Sequence, residues 1–131
     1  MKAKWVAAFV LLGATVLWAG NDSWMTKVST AQRDRVNPYA DSPPAAAAGR
    51  ILFAAHCAQC HGKDAQGLRG PSLRSARIAQ ATDGELAWIL KNGYRRGGMP
   101  SWSRLPEPER WQIIAYLRSL PHQESGDTAA R

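Results

Sequence analysis

The chain has 131 residues, which is enough for one ordinary domain beside an N-terminal leader. It contains only two cysteines, Cys57 and Cys60, so an extensive disulfide framework is excluded. A domain of this size has a small hydrophobic core, and without disulfides it usually needs a metal or a cofactor to stay folded. The net charge is +7, and a chain this basic can meet nucleic acid, an anionic membrane or an acidic protein surface.

The first twenty residues have the form of an export signal. Lys2 and Lys4 precede an apolar run over residues 5–19, and no cysteine lies near residue 20 to carry a lipid. The end of the run is a poor cleavage site, and the run is shorter than the roughly 18–20 apolar residues of a spanning helix. Residues 1–20 are therefore predicted to be either a signal peptide or an N-terminal membrane anchor. In both cases the rest of the chain is exported.

The rest of the chain divides into a spacer, a domain and a tail. Residues 21–42 are polar and without periodicity, and we expect them to form a spacer. Residues 121–131 follow a proline and are expected to form a flexible C-terminal tail. The signals over residues 43–120 are helical throughout, so this domain is predicted to be all-α, with long glycine-rich loops between its helices.

Three helices are predicted in the domain. The first begins with Ser42 as its N-cap and runs to about residue 55. The second begins at a capping box formed by Thr82 and Glu85 and ends at the following Asn-Gly pair. The third spans about residues 107–120, where apolar residues recur at the three-and-four spacing of one buried stripe.

Residues 57–61 form the motif Cys-x-x-Cys-His, which in an exported chain is the attachment signature of c-type haem. The thiols of Cys57 and Cys60 can reach the two vinyl groups of one porphyrin and form thioethers. The imidazole of His61 then falls under the iron as an axial ligand. A thioredoxin-like pair fits less well, because a helix and not a strand precedes the motif. A zinc site would need a second pair of Cys or His ligands at suitable spacing, and a plain disulfide would leave the histidine unexplained.

The second axial ligand is predicted to be Met99. This methionine stands in a loop between glycines and a proline, whereas a core methionine would normally lie on a helix face. His56 and His122 are weaker candidates, because one should point away from the motif and the other lies in the tail. Trp102 is expected to pack against the porphyrin ring. Arg96 could reach a haem propionate, although a solvated loop explains it as well.

These motifs resemble those of the class I c-type cytochromes, the small monohaem cytochromes c. The resemblance covers about residues 45–120 and rests on Gly49-x-x-x-Phe53, the Cys-x-x-Cys-His-Gly motif, Gly70-Pro71-Ser72-Leu73, Gly98-Met99-Pro100, and a closing helix with Trp111 and Tyr116. It implies that the first and last helices cross at nearly a right angle, with Gly49 and Phe53 against Trp111 and Tyr116. It also implies that the carbonyl of Pro71 accepts the other N–H of the ligand imidazole.

The expected function is the transfer of single electrons through one covalently bound haem c, and not enzymatic catalysis. With His61 and Met99 both bound, the iron has no open position for a substrate. We expect a periplasmic protein, soluble or tethered to the inner membrane through residues 5–19, without a nucleic-acid partner. Two alternatives remain: a fixed haem c subunit of a periplasmic dehydrogenase or oxidase complex, and a haem-based gas sensor in which Met99 leaves the iron.

The basic residues are expected to surround the exposed haem edge and to dock redox proteins that have acidic surfaces. Residues 45–120 contain eleven Lys or Arg and five Asp or Glu. The predicted basic rim consists of Arg69, Arg74, Arg95, Arg96 and Arg104.

Overall fold

The computed structural model describes residues 23–123, and the secondary structure of that range is helical. The helices are α1 (Thr30–Arg33), α2 (Pro43–His56), α3 (Ala58–His61), α4 (Ala76–Gln80), α5 (Asp83–Asn92) and α6 (Glu107–Ser119), with 3-10 turns over Trp24–Lys27 and Arg95–Gly97. The only β-type pairing within residues 23–123 is an isolated bridge between Tyr94 and Met99. None of the described helices is long and apolar enough to cross a membrane.

The three predicted helices form where their sequence signals stand. The hydroxyl of Ser42 accepts the N–H of Ala45 at the start of α2. At the start of α5 the hydroxyl of Thr82 accepts the N–H of Glu85, and the Glu85 carboxylate accepts the N–H of Thr82. These reciprocal bonds satisfy N–H groups that the first turn of a helix leaves unpaired.

Helices α2 and α6 pack together to form the centre of the core. Phe53 of α2 lies against Tyr116 of α6 with ring centroids 5.3 Å apart. Gly49 lies against the backbone of Gln112, because a Cβ at this glycine would fall 3.0 Å from the nitrogen of Ile113 and closer still to the Gln112 carbonyl. The expected contact between Phe53 and Tyr116 is confirmed, and Gly49 meets the backbone beside Trp111.

Residues 23–42, which we call the N-terminal strap, differ from the irregular spacer that the sequence suggested. Trp24 and Val28 are buried in the core, and Asn37 is 2% exposed. The Asn37 amide donates a hydrogen bond to the carbonyl of Trp111, 3.0 Å away, and the Arg35 guanidinium lies 5.1 Å from the centre of the Trp111 ring. Short helices of this kind depend on tertiary contacts, which local sequence patterns do not report.

The strap also binds the start of α5. The carbonyl of Arg33 accepts the hydroxyl of Thr82 at 2.8 Å, and the Arg33 side chain pairs with Glu85 at 3.0 Å. A Cβ on Gly84 would collide with the carbonyl of Gln32, so only glycine allows the strap to come this close.

The predicted leader and most of the predicted tail lie outside the described residues. Residues 1–20, with their apolar run over 5–19, are not described, and neither are residues 124–131. Residues 121–123 do contact the domain, since Arg74 donates a hydrogen bond to the carbonyl of Pro121 at 2.8 Å and accepts one at its own carbonyl from the N–H of Gln123 at 2.7 Å.

Candidate functional site

The two cysteines lie where α2 gives way to the short helix α3. Cys57 is both the C-cap of α2 and the N-cap of α3. Its carbonyl accepts hydrogen bonds from the N–H groups of Cys60 and His61 at 3.1 and 3.0 Å. Both thiols are free; Cys57 is buried and Cys60 is exposed. Burial, and secondarily the neighbouring Cys60, raises the pKa of the Cys57 thiol to about 11, so this thiol is uncharged at neutral pH.

The imidazole of His61 is fixed from its Nδ1 side. Nδ1 lies 2.9 Å from the carbonyl oxygen of Pro71, which can only accept a hydrogen bond, so Nδ1 carries the proton. Gly70 stands directly beside the ring, because a Cβ at this position would lie 2.9 Å from its Cε1 atom. This tautomer leaves the lone pair of Nε2 available to a metal, as the resemblance to class I cytochromes implied.

Met99 is presented by a loop whose two sides are tied together. The N–H of Tyr94 donates to the carbonyl of Met99 at 2.9 Å, and the N–H of Met99 donates to the carbonyl of Tyr94 at 3.0 Å. Gly93, with φ of +70°, lets the chain double back, because a Cβ there would lie 2.7 Å from the carbonyl oxygen of Met99. Beyond Met99, the N–H of Trp102 donates to the carbonyl of Leu90 at 2.8 Å. These bonds fix the backbone of Met99 relative to α5.

The ring of Trp102 contacts one side chain from α2 and one from its own loop. Its centroid is 5.3 Å from that of His56, the last residue of α2. The guanidinium of Arg104 lies 4.6 Å from the centre of the same ring. Sequence reasoning considered His56 only as a weaker candidate for the iron ligand, yet it joins the helix that leads into the cysteine motif to the loop of Met99. The porphyrin contact expected of Trp102 stays a prediction, as does the propionate contact expected of Arg96.

In the predicted basic rim, Arg69 is exposed, and the other arginines separate into two sets by their contacts, one at Arg74 and one in the loop of Met99. Arg74 binds the C-terminal residues at Pro121, and its neighbour Arg77 donates a hydrogen bond to the hydroxyl of Ser23 at 2.6 Å. Arg95, Arg96 and Arg104 belong to the loop that presents Met99. The structure therefore links the first set to the two ends of the described chain and the second set to the predicted iron ligand.

The residues present fit a haem c. Two free thiols three residues apart in the chain, an imidazole with its Nε2 available and a thioether are the donor set of this cofactor. Leu68 follows the histidine turn and exposes 72% of its surface, which suits contact with an apolar macrocycle. Within residues 23–123, no three His, Cys, Asp or Glu side chains cluster in a way that would hold a bare metal ion.

Comparison with known proteins decides the family. A family model described as cytochrome c oxidase, cbb3-type, subunit III matches residues 44–117. The chain belongs to this cytochrome c family. The predictions of a class I c-type cytochrome, of an all-α fold and of one covalently bound haem c are confirmed, and so is the expectation of a monohaem electron-carrier family.

Individual relatives of this cytochrome c domain differ in size. Cytochrome c-551 of Bacillus subtilis (strain 168) is 29% identical over 100 residues, which cover 76% of this chain and 82% of that protein. The cbb3-type cytochrome c oxidase subunit CcoP of Rhodobacter capsulatus is 38% identical over 88 residues, which cover 57% of this chain and 29% of CcoP. The chain thus spans less than a third of this oxidase subunit.

A solved structure gives the same fold. Cytochrome cL from Methylophaga aminisulfidivorans superimposes with a TM-score of 0.59 at 31% identity, over 69% of this chain and 61% of that one. The match agrees with the helical architecture described above.

Proposed function

We propose that this cytochrome c domain carries single electrons between redox proteins in the periplasm, with haem attached to Cys57 and Cys60 and with His61 and Met99 as the iron ligands. The observation that supports this most strongly is the hydrogen bond from His61 Nδ1 to Pro71, formed beside two free thiols. That bond fixes the ring and makes the other nitrogen a stronger ligand.

Haem c, when bound, supplies a one-electron ferric–ferrous couple. The protein holds the ligands in place: Pro71 fixes the imidazole, and the paired hydrogen bonds between Tyr94 and Met99 fix the loop of the thioether. A thioether is a soft ligand that favours the ferrous state and so raises the reduction potential. Two protein ligands leave no coordination position for a substrate, which supports a role in electron transfer and argues against catalysis at the iron.

The partners are proposed to be redox proteins with acidic docking surfaces. Arg95 and Arg104 are exposed on the loop of Met99, where positive charge would steer such a partner toward the haem. The predicted signal peptide or membrane anchor over residues 1–20 supports a periplasmic location, soluble or tethered through residues 5–19.

A second candidate function is that of a fixed electron-transfer subunit of an oxidase or dehydrogenase complex. The match to CcoP favours it, because the chain resembles one part of a larger oxidase subunit. The two candidates differ in hydrodynamic size. After mild detergent extraction a shuttle elutes as a protein of about its own mass of 14.3 kDa plus detergent, whereas a fixed subunit elutes with its complex.

The experiment that tests the proposal is the intact mass of the purified protein together with its haem absorption spectrum. The wild type should carry one covalent haem, and Cys57→Ala/Cys60→Ala should carry none. The double variant should also lose most of its helical circular dichroism, because the haem supplies much of the core of so small a domain. Native helix content in a haem-free double variant would contradict this account of the core, and covalent haem in that variant would contradict the attachment sites.

A further inference from the structure

The strap limits the distance between the domain and the site at which the leader is held. An extended spacer over residues 21–42 would reach about 75 Å, since each residue spans at most about 3.3–3.6 Å. The strap instead begins at Ser23 and is bound to the domain from there onward. Four residue steps separate Ser23 from the end of the apolar run at residue 19, and they span at most about 14 Å.

The contacts of the strap keep this distance short. They include the pair between Arg33 and Glu85, the bond from Thr82 to the carbonyl of Arg33, and the bond from Asn37 to the backbone of α6. Trp24 anchors the first turn in the core with 9% of its surface exposed. Lengthening the connection would require breaking these contacts and exposing that ring.

Both ends of the described chain meet on the segment of residues 72–77. The side chain of Arg77 donates to the hydroxyl of Ser23, at the N-terminal end. At the other end, the hydroxyl of Ser72 and the carbonyl of Arg74 bind Gln123 at 3.0 and 2.7 Å. Ser23 and Gln123, the two ends of the described residues, therefore lie on one face of the domain.

This face is positively charged. Arg77 is exposed and Arg74 is half-buried, and the exposed Lys27 ends the 3-10 turn that follows Ser23. The hydrogen bonds of the two arginines go to a hydroxyl and a carbonyl, so their charge is not neutralised. The acids at the start of α5 are engaged elsewhere, since Asp83 pairs with Arg118 at 2.8 Å and Glu85 with Arg33. No carboxylate among residues 23–123 forms an ion pair with Lys27, Arg74 or Arg77.

We propose that the chain-end face, formed by Ser23, Lys27, Arg74 and Arg77, lies on an anionic lipid surface. The inference rests on the proposed export of the domain to a compartment bounded by such a membrane. Each Lys or Arg close to an anionic bilayer strengthens binding by about fivefold, and a tether shorter than about 14 Å keeps these cations near the lipid. The domain is then held in one orientation, with its loop arginines Arg95 and Arg104 left for a protein partner.

The test is backbone hydrogen–deuterium exchange of the full-length holoprotein in nanodiscs, followed by mass spectrometry. Discs of phosphatidylcholine with phosphatidylglycerol are compared with discs of phosphatidylcholine alone at low salt. We expect amides of residues 23–28 and 72–77 to exchange several-fold more slowly in the anionic discs. Lys27→Gln/Arg77→Gln should lose most of this difference, whereas Arg95→Gln/Arg104→Gln, which removes the same charge from the Met99 loop, should keep it.

The single variant Lys27→Glu guards against a folding defect, because this exposed side chain lies outside the contacts that fix the strap. Equal exchange of the two segments in both kinds of disc overturns the proposal, and so does protection that falls on residues 93–104. If the intact mass shows that the leader has been removed, the chain-end face must bind lipid without a tether. Absence of protection at residues 23–28 and 72–77 would then contradict the proposal in the same way. A missing haem mass would count against the proposed function, while the exchange pattern would still decide the lipid surface.

Discussion

Replacing Gly49 by alanine should push α2 and α6 apart. The added Cβ would lie 3.0 Å from the nitrogen of Ile113 and nearer still to the carbonyl of Gln112, whereas ordinary van der Waals contacts begin at 3.4 Å. Backbone on both sides cannot move as a flexible side chain would, so the helices must separate by roughly 1 Å, and a gap of that size forfeits a quarter to a half of the dispersion attraction across it.

The cost can be worked from the side chains at this interface. Phe53, Ile113 and Ile114 are less than 2% exposed, and losing such side chains entirely costs about 2–5 kcal/mol each. A quarter to a half of that total, less about 1 kcal/mol because alanine favours a helix over glycine, leaves a loss of about 0.5–6.5 kcal/mol, with the middle of the range at about 3 kcal/mol. Small domains have only about 5–15 kcal/mol of stability, so the effect is large.

The assay is guanidinium unfolding of the holoprotein, followed by far-ultraviolet circular dichroism. Ala54→Gly is the control, because Ala54 is exposed on the same helix and its replacement should cost only about 1 kcal/mol through helix propensity. A Gly49→Ala protein as stable as the wild type would refute the close approach of the two helices.

Three further predictions follow from the strap, the Trp102 stack and the loop arginines. Gly84→Ala should displace the strap at Gln32, so amides of residues 23–42 should exchange faster while those of α6 stay protected. Unchanged exchange over residues 23–42 would contradict the close contact between Gly84 and Gln32. His56→Ala should lower the temperature at which the far-red ferric band of methionine ligation disappears, and His56→Phe, which keeps a ring against Trp102, should restore it. Arg95→Glu/Arg104→Glu should slow electron transfer to the partner at low salt without moving the potential, and a rate indifferent to salt would argue against this docking face.

The long helices could be predicted because local residues define their ends. Ser42 before two prolines and the capping box of Thr82 and Glu85 act within one turn of chain, so the sequence alone reports them. The cysteine motif is equally local. The hydrogen bond from His61 to the carbonyl of Pro71 could be anticipated only from the resemblance to known cytochromes, because it joins residues ten positions apart.

The strap could not be predicted as a folded segment by polarity and periodicity. Its helices have four residues each and would not persist alone, since helix nucleation is unfavourable; they depend on the burial of Trp24 and on the pair between Arg33 and Glu85. One local signal was present, the Ser29 cap with Gln32 three residues later, whose N–H the serine accepts. The contact of His56 with Trp102 had no such signal, because it joins residues 46 positions apart.

The central claim is that Met99 completes the coordination of the iron, and it is tested most directly by the ferrous protein's affinity for carbon monoxide before and after Met99→Ala. The wild type should bind carbon monoxide weakly and show the far-red ferric band. The variant should keep its covalent haem, lose the band, bind carbon monoxide readily, and have a potential lower by on the order of tenths of a volt. A wild type that binds carbon monoxide as well as the variant does would contradict the claim and favour the gas-sensor alternative.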